Sequence, residues 1–246
     1  MLTASTRATG SRPVARRAPA EACYVGRERV PLLIAEARGL GADEMARLAT
    51  TRAFAPNGPF YPGVRAPAPR AYADAVATAL SGPLHELMGW GAPPPGGGVE
   101  ALACDFSLVT TPPEALIPLQ RVPHSDGRDP DIVAVLHYLC GPEHGGTGLF
   151  RHRVTGFERI TEARADRYNR VLDSDVTTNG LPEPGYLQGS TNLFEETARV
   201  DAAFGRLIAY PGNALHCGLV PPTASLSPDP TTGRLTVNTF LRRVRA

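Results

Sequence analysis

The chain has 246 residues, of which 42% are hydrophobic, and its 25 basic and 24 acidic side chains leave a net charge of +1. This length and composition are ordinary for one well-buried, sheet-based domain. The near-neutral balance argues against a nucleic-acid-binding domain, because such domains are usually strongly basic. The chain contains no lysine, which excludes Schiff-base and lysine-base chemistry.

The N-terminal part predicts a tail followed by a helical layer. Residues 1–22 are rich in Arg, Ser and Thr and lack the apolar segment of a signal peptide, so we expect a disordered tail, with a transit peptide as the alternative. A single domain is expected over 23–246. The elements predicted in its first part are a buried strand at Val30–Ala35 and helices at Ala42–Thr51, Arg70–Leu80 and Leu84–Trp90.

The periodicity changes after the Pro- and Gly-rich break at 93–98. Short segments rich in β-branched or aromatic residues follow, each bounded by Gly, Pro or Asp, which is typical of strands. The predicted strands are Ala103–Thr110, Ile132–Cys140, Thr147–His152, Arg206–Tyr210 and Arg234–Leu241. Helices are predicted at Ile160–Arg170 and Thr191–Ala203, with a long irregular stretch between them. The expected fold is therefore mainly β, with a helical layer on one face of an antiparallel sheet.

The four cysteines are widely spaced and form no C-x-x-C pair, which argues against a zinc ribbon or a thioredoxin-like site. Reduced thiols in a cytoplasm are the simplest interpretation. No stretch approaches the roughly 20 apolar residues that a membrane-spanning helix needs. We therefore expect no membrane partner and no nucleic acid.

An H-x-D pair, His124 and Asp126, precedes the buried strand Ile132–Cys140. In an extended segment, residues two apart point the same way, so both side chains can bind one ion. The alternative is a solvated turn pair. A distal histidine, His216, follows the Pro211-Gly212-Asn213 turn, and taken alone it is better explained as a core or surface histidine than as a ligand. Two imidazoles and one carboxylate on one face of an iron ion would form the facial triad of non-haem Fe(II) oxygenases.

The last predicted strand carries Arg234 and Thr236 on one face and Leu235 and Val237 on the other. If the polar face lines the interior, the buried guanidinium needs an anion, and a dicarboxylate such as 2-oxoglutarate would supply one. The alternative is an exposed strand with its arginine in solvent.

Two segments resemble the prolyl 4-hydroxylase-type 2-oxoglutarate/Fe(II) dioxygenases. His124–Phe150 carries the H-x-D pair, a Tyr-Leu-Cys strand end and a Gly-Gly-Thr turn. Gly205–Leu241 carries a Tyr-Pro-Gly stretch before His216 and then the G-R-x-T pattern. The segments Phe60–Gly63 and Gly156–Glu158 resemble more closely a bacterial family of that superfamily with no assigned function. The resemblance covers most of the chain from about Val30.

The resemblance implies a double-stranded β-helix (a jelly-roll fold) with Fe(II) on His124, Asp126 and His216 and the far carboxylate of 2-oxoglutarate on Arg234 and Thr236. It also implies a hydroxylase that consumes O2, acts on a C–H bond of a peptide, amino acid or small metabolite, and releases succinate and CO2. Relatives often carry Tyr where this chain has His137. His137 is therefore expected to contact the co-substrate, with a buried core histidine as the alternative.

The substrate side is expected in two insertions, 161–203 and 219–232. Tyr186, Arg128 and Arg151 are candidate substrate contacts, although a solvated basic rim is the simpler explanation of the two arginines. Two other functions stay open: a β-helix module that binds a metal or ligand without turnover, and a metalloenzyme with another divalent ion. The oligomeric state is not predicted.

Overall fold

The computed structural model of the protein describes residues 20–96 and 98–245. Its strands are β1 (Ala20–Val25), β2 (Val30–Glu36), β3 (Ala55–Pro56), β4 (Gly63–Pro67), β5 (Val99–Val109), β6 (Ile132–Tyr138), β7 (Gly146–His152), β8 (Phe194–Asp201), β9 (Arg206–Pro211), β10 (His216–Leu219) and β11 (Arg234–Arg243). Its α-helices are α1 (Ala42–Ala49), α2 (Arg70–Leu87) and α3 (Glu162–Asn179).

The strands form two antiparallel sheets. The larger has the order β1-β2-β9-β6-β11-β5-β4-β3, and the smaller has the order β10-β7-β8. His124 adds a further bridge beside the start of β10. After β5 the chain passes through the His124 bridge to β6 of the larger sheet, then to β7 and β8 of the smaller sheet, and then to β9, β10 and β11, which lie in the larger, smaller and larger sheet. This is the winding of a double-stranded β-helix, a form of jelly roll. The predicted fold class is therefore confirmed.

The two sheets enclose an interior that is partly packed and partly open. Leu149 of β7 and Val200 of β8 pack against Tyr138, Ile208 and other residues of the larger sheet. The hydroxyl groups of Tyr138 and Thr147 lie 2.6 Å apart and join the sheets by a buried hydrogen bond. These contacts fix the spacing between the sheets.

Strand β11 shows why the sequence folds this way. Leu235, Val237 and Leu241 are fully buried against the helical layer, each contributing about 1.5–3 kcal/mol by leaving water. Arg234 and Thr236 point the other way, between the sheets. The period-two alternation therefore sets which face carries polar side chains.

Helices α1 and α2 form the predicted layer on the outer face of the larger sheet. The sequence predicts two helices in the second segment, but α2 is continuous through Pro83. A proline in a helix interior removes one backbone hydrogen bond. Here Leu80, Leu84 and Leu87 stay on one buried face, so packing against the sheet holds both halves in line.

Two predictions for the C-terminal half are wrong. The segment Thr191–Ala203 contains β8 rather than a helix, because it pairs with β7 along its length. The irregular stretch is shorter than expected, because α3 continues to Asn179 and packs Tyr168 and Leu172 against the smaller sheet. Local propensity is overridden in both cases by tertiary pairing.

The predicted tail lies largely outside the described residues. Its last three positions, Ala20 to Ala22, belong to β1 and pair with β2, which corrects that boundary. The four cysteines are free thiols. Among the helices of the described ranges, none combines the length and apolarity that crossing a bilayer requires.

Candidate metal centre

The backbone brings His124 and His216 together. Each amide donates to the carbonyl of the other, at 2.9 and 2.8 Å. The amide of Asp126 donates to the carbonyl of Gly212 at 2.8 Å, in the turn that precedes β10. Main-chain hydrogen bonds of a β ladder therefore hold all three residues.

The three side chains converge. Nε2 of His124 lies 3.8 Å from Oδ1 of Asp126, and Nε2 of His216 lies 3.4 Å from Oδ2 of the same carboxylate. One candidate ligand atom from each residue lies within 4.8 Å of the others. Nδ1 of His216 is 3.0 Å from the carbonyl of Ala214, which fixes the tautomer that leaves Nε2 free to bind a metal.

Electrostatics favour the neutral, metal-binding form of the two imidazoles. Burial lowers the pKa of both His124 and His216 to about 4, and in His124 the neighbouring His216 adds to the effect. Both imidazoles are then neutral at pH 7, as metal ligation requires. Burial raises the pKa of Asp126, and His124 and Arg65 oppose that rise. The His124 side chain lines a cavity between the sheets, and for this reason 54% of its surface is accessible to water.

That cavity has a volume of about 550 Å³ and lies between the sheets. Its walls are mainly apolar, and its polar lining includes His124, Asp126, His216, Tyr61, Arg65, Tyr186, Arg234 and Thr236. A concave, mostly apolar site with a few convergent polar groups is the usual form of a small-molecule site.

Arg234 is buried in the cavity wall, 4% exposed, at the first residue of β11. Its Nε donates to the carbonyl of His144 at 3.1 Å and its Nη2 to that of Gly146 at 2.8 Å. These bonds fix the guanidinium plane, and the remaining N–H groups on its far edge stay available for an anion.

Thr236 follows two residues later and pairs with Ser107 of β5 and Tyr138 of β6. Its hydroxyl donates to Oδ1 of Asn238 at 2.7 Å. A carboxylate accepts and does not donate, so Thr236 must release Asn238 before it can bind one.

A family model matches residues 16–241. The chain belongs to a family of unknown function, DUF6445. No curated protein of established function matches this member of the family.

Several solved structures are similar to this DUF6445 chain. HygX from Streptomyces hygroscopicus, crystallised with nickel and 2-oxoglutarate bound, is 14% identical with a TM-score of 0.47, covering 87% of this chain and 84% of HygX. AviO1 from Streptomyces viridochromogenes Tue57 is 13% identical (TM-score 0.41; coverage 92% and 90%). EctD from S. alaskensis with bound Fe is 12% identical (TM-score 0.38; coverage 92% and 85%). With identities and TM-scores this low, the fold assignment rests on the strand order of the chain itself.

His137 does not lie in the cavity wall. It points from β6 toward the helical layer, where Nδ1 lies 2.6 Å from the hydroxyl of Tyr72 in α2. It occupies the register position beside Val237, whose side chain also faces the helices. This placement contradicts the predicted role of His137 in binding the co-substrate and supports the core alternative.

The two arginines expected at the substrate side also lie elsewhere. Arg151 is buried and pairs with Glu158 at 3.0 Å and with Glu195. Arg128 forms an exposed pair with Glu162 at 3.0 Å. Neither lines the cavity, and each is paired with a carboxylate of the protein. Tyr186 does line it, and its hydroxyl donates to the carbonyl of Thr111 at 2.7 Å.

Sequence reasoning gave no role to Tyr61 and Arg65, which the DUF6445 fold places in the cavity wall. Cζ of Arg65 lies 4.3 Å from the centre of the Tyr61 ring. The Tyr61 hydroxyl, Arg65 Nε and Ser107 Oγ are buried without a hydrogen-bond partner in the described residues. The Phe60–Gly63 segment was the available signal, but its Pro- and Gly-rich surroundings predicted only a loop.

Proposed function

We propose that this protein is an Fe(II)/2-oxoglutarate-dependent oxygenase that hydroxylates a C–H bond of a small molecule, amino acid or peptide. The observation that carries the proposal is the sharing of one cavity by the His124–Asp126–His216 cluster and the guanidinium of Arg234. Two neutral imidazoles and a carboxylate suit Fe(II) and leave coordination positions open.

The residues present fit the co-substrate. Arg234 offers a fixed guanidinium edge, and the buried hydroxyl groups of Tyr61 and Ser107 lie near each other with no other partner in the described residues, so a carboxylate could accept from them. Buried polar groups without partners are costly, so a ligand that satisfies them is favoured. In this proposal Arg234 holds the far carboxylate, assisted by Tyr61 and by Thr236 after its hydroxyl rotates.

The chain's own contribution is orientation and exclusion of water. When bound, iron and 2-oxoglutarate supply the oxidising chemistry, with consumption of O2 and release of succinate and CO2. Tyr168 and Leu172 of α3, with Tyr186, line the cavity near the ligands. We propose that α3 and the segments 180–193 and 219–232 shape the substrate side of a single catalytic domain that begins at β1. The β8 part of the expected insertion 161–203 belongs to the smaller sheet instead.

Anaerobic addition of Fe(II) and then 2-oxoglutarate tests the proposal. We expect a weak visible charge-transfer band that saturates with 2-oxoglutarate, and slow uncoupled succinate formation once air is admitted. A protein that binds Fe(II) but shows neither signal would be a metal-binding module. The same ligand set suits several divalent ions. Metal analysis of the protein as purified from cells therefore shows which ion it carries, and an ion other than iron would indicate a metalloenzyme of another kind.

A further inference from the structure

Arg65 is a cavity arginine whose guanidinium forms no direct ion pair in the described residues, although Asp105 and Asp126 lie near enough for it to offset part of the rise that burial causes in the pKa of each. It projects from β4 in the register position opposite Ser107 of β5, so it lies in the same row of the sheet as Thr236. Its Nε is buried without a hydrogen-bond partner in the described residues, and its guanidinium lies over the face of the Tyr61 ring. It lines the cavity that holds His124 and Asp126.

The other cavity guanidinium differs in this respect. Arg234 is anchored by two backbone carbonyls, whereas Arg65 forms no ion pair or hydrogen bond with any side chain or carbonyl that the structure describes. A partly buried cation without a partner is destabilising, and a guanidinium fork matches a carboxylate in two parallel hydrogen bonds. The geometry therefore leaves the Arg65 guanidinium free to bind an anion in the cavity.

The mouth of the same cavity is apolar. Phe60 is 67% exposed and Leu119 is 57% exposed, and both line the cavity. Leu172 and Tyr186 continue the apolar wall inward. Large exposed apolar side chains at a cavity rim are typical of ligand contact. A molecule that satisfies both features has a carboxylate at one end and an apolar body that reaches the rim.

We propose that Arg65 binds the carboxylate of the primary substrate, which is an organic acid with an apolar or aromatic body. This inference rests on the proposed oxygenase function, because it assigns Arg234 to 2-oxoglutarate and Arg65 to the substrate. Tyr61 lies beneath the Arg65 guanidinium and is a positioning residue for it.

Calorimetric titration of the full chain tests the proposal with binding as its readout. The protein is loaded with Zn(II), which supports no redox turnover, and with saturating 2-oxoglutarate. The probes are 3-phenylpropanoate and its neutral counterpart 3-phenylpropanamide. We expect the wild-type protein to bind the acid at least about tenfold more tightly than the amide, which corresponds to one charge-assisted contact.

The variants are Arg65→Gln and, as a matched control, Arg128→Gln, which removes an exposed arginine that does not line the cavity. Arg65→Gln should abolish the preference for the acid and leave the affinity for 2-oxoglutarate unchanged, and Arg128→Gln should change neither. If Arg65→Gln does not fold, Arg65→Lys should keep a reduced preference, because it retains the charge and loses the fork.

Equal binding of acid and amide by the wild-type protein, or no binding of either, would overturn the proposal. Loss of 2-oxoglutarate binding in Arg65→Gln would assign Arg65 to the co-substrate and overturn it as well. A wild-type protein that takes no 2-oxoglutarate with any metal would instead refute the proposed function. In that case the acid-to-amide comparison, repeated with Zn(II) alone, still decides whether Arg65 binds a carboxylate.

Discussion

His124 and His216 form an isolated antiparallel bridge in which each backbone amide donates to the carbonyl of the other. Their ring centroids lie 4.6 Å apart as a consequence. This backbone bridge therefore holds the two imidazoles close together. We expect a site that is already assembled in the metal-free protein.

Replacement of Asp126 or His216 by Ala should abolish tight Fe(II) or Zn(II) binding. The loss should exceed the roughly 10–100-fold cost of losing a hydrogen-bond partner of a metal ligand. Because main-chain bonds hold the strands, the far-UV circular dichroism of these variants should stay unchanged. Competition with a chromogenic chelator measures the affinity.

Asp166→Ala is the matched control, since Asp166 is an exposed residue of α3 outside the metal cluster. Its metal affinity should equal that of the wild-type protein. Full metal binding by Asp126→Ala would remove this carboxylate from the site.

Arg234→Gln should weaken 2-oxoglutarate binding by about 1.5–3 kcal/mol, the usual contribution of a hydrogen bond to a charged group. The amide keeps one donor for the neighbouring carbonyl groups but removes the positive charge. Titration of the anaerobic charge-transfer band with 2-oxoglutarate gives the affinity, while metal binding should be unchanged. An unaltered titration would show that another residue holds the far carboxylate.

Glu158→Ala should destabilise the fold by about 3–5 kcal/mol, because it leaves the buried Arg151 partly unpaired. The same carboxylate also accepts from the backbone amides of Arg27 and Glu28, each at 2.9 Å, and so closes the turn between β1 and β2. Urea unfolding measures the free energy, and metal affinity should not change.

The exposed pair of Arg128 and Glu162 provides the contrast for that experiment. Glu162→Ala should cost about 0–1 kcal/mol, as surface ion pairs do. Similar losses for both substitutions would contradict the structural role given to the Arg151–Glu158 pair.

Buried His137 should make the stability of the fold sensitive to acid. Burial lowers its pKa from the ordinary 6.5 to about 4, with a contact to the Gly205 backbone offsetting part of the drop. The folded state therefore binds this proton less readily than the unfolded chain. The contribution of neutral His137 to the free energy of unfolding is fully present above pH 6.5. It is lost as the pH falls toward 4, by about 3 kcal/mol in total.

His137→Gln can still accept a hydrogen bond from Tyr72 and cannot be protonated. Its free energy of unfolding, measured in urea between pH 6.5 and 4, should therefore fall less steeply than that of the wild-type protein. An identical slope for the two proteins would place the lost stability on other histidines.

The sequence predicted the helices and strands best where packing and periodicity agree, as in α1, β6 and β11. It failed at Thr191–Ala203, where the residues of β8 carry no strong strand pattern and pairing with β7 decides the conformation. It missed β4 for the same reason, because its pairing with β5 overrides a Pro- and Gly-rich composition. The metal candidates were predictable because an H-x-D pair and a distal histidine have a recognisable order.

Residue types and alternation along β11 determined by themselves that the chain would bury an apolar face and present Arg234 and Thr236 on the other. The tertiary structure alone decided three other placements. It put His137 on the helix-facing side of β6, paired Arg151 with Glu158 away from the cavity, and brought Arg65 into the cavity that holds the metal candidates. The physical reason is that a charged or polar side chain takes its role from its partners. Those partners lie on strands distant in the chain and become neighbours only when the two sheets pair and close.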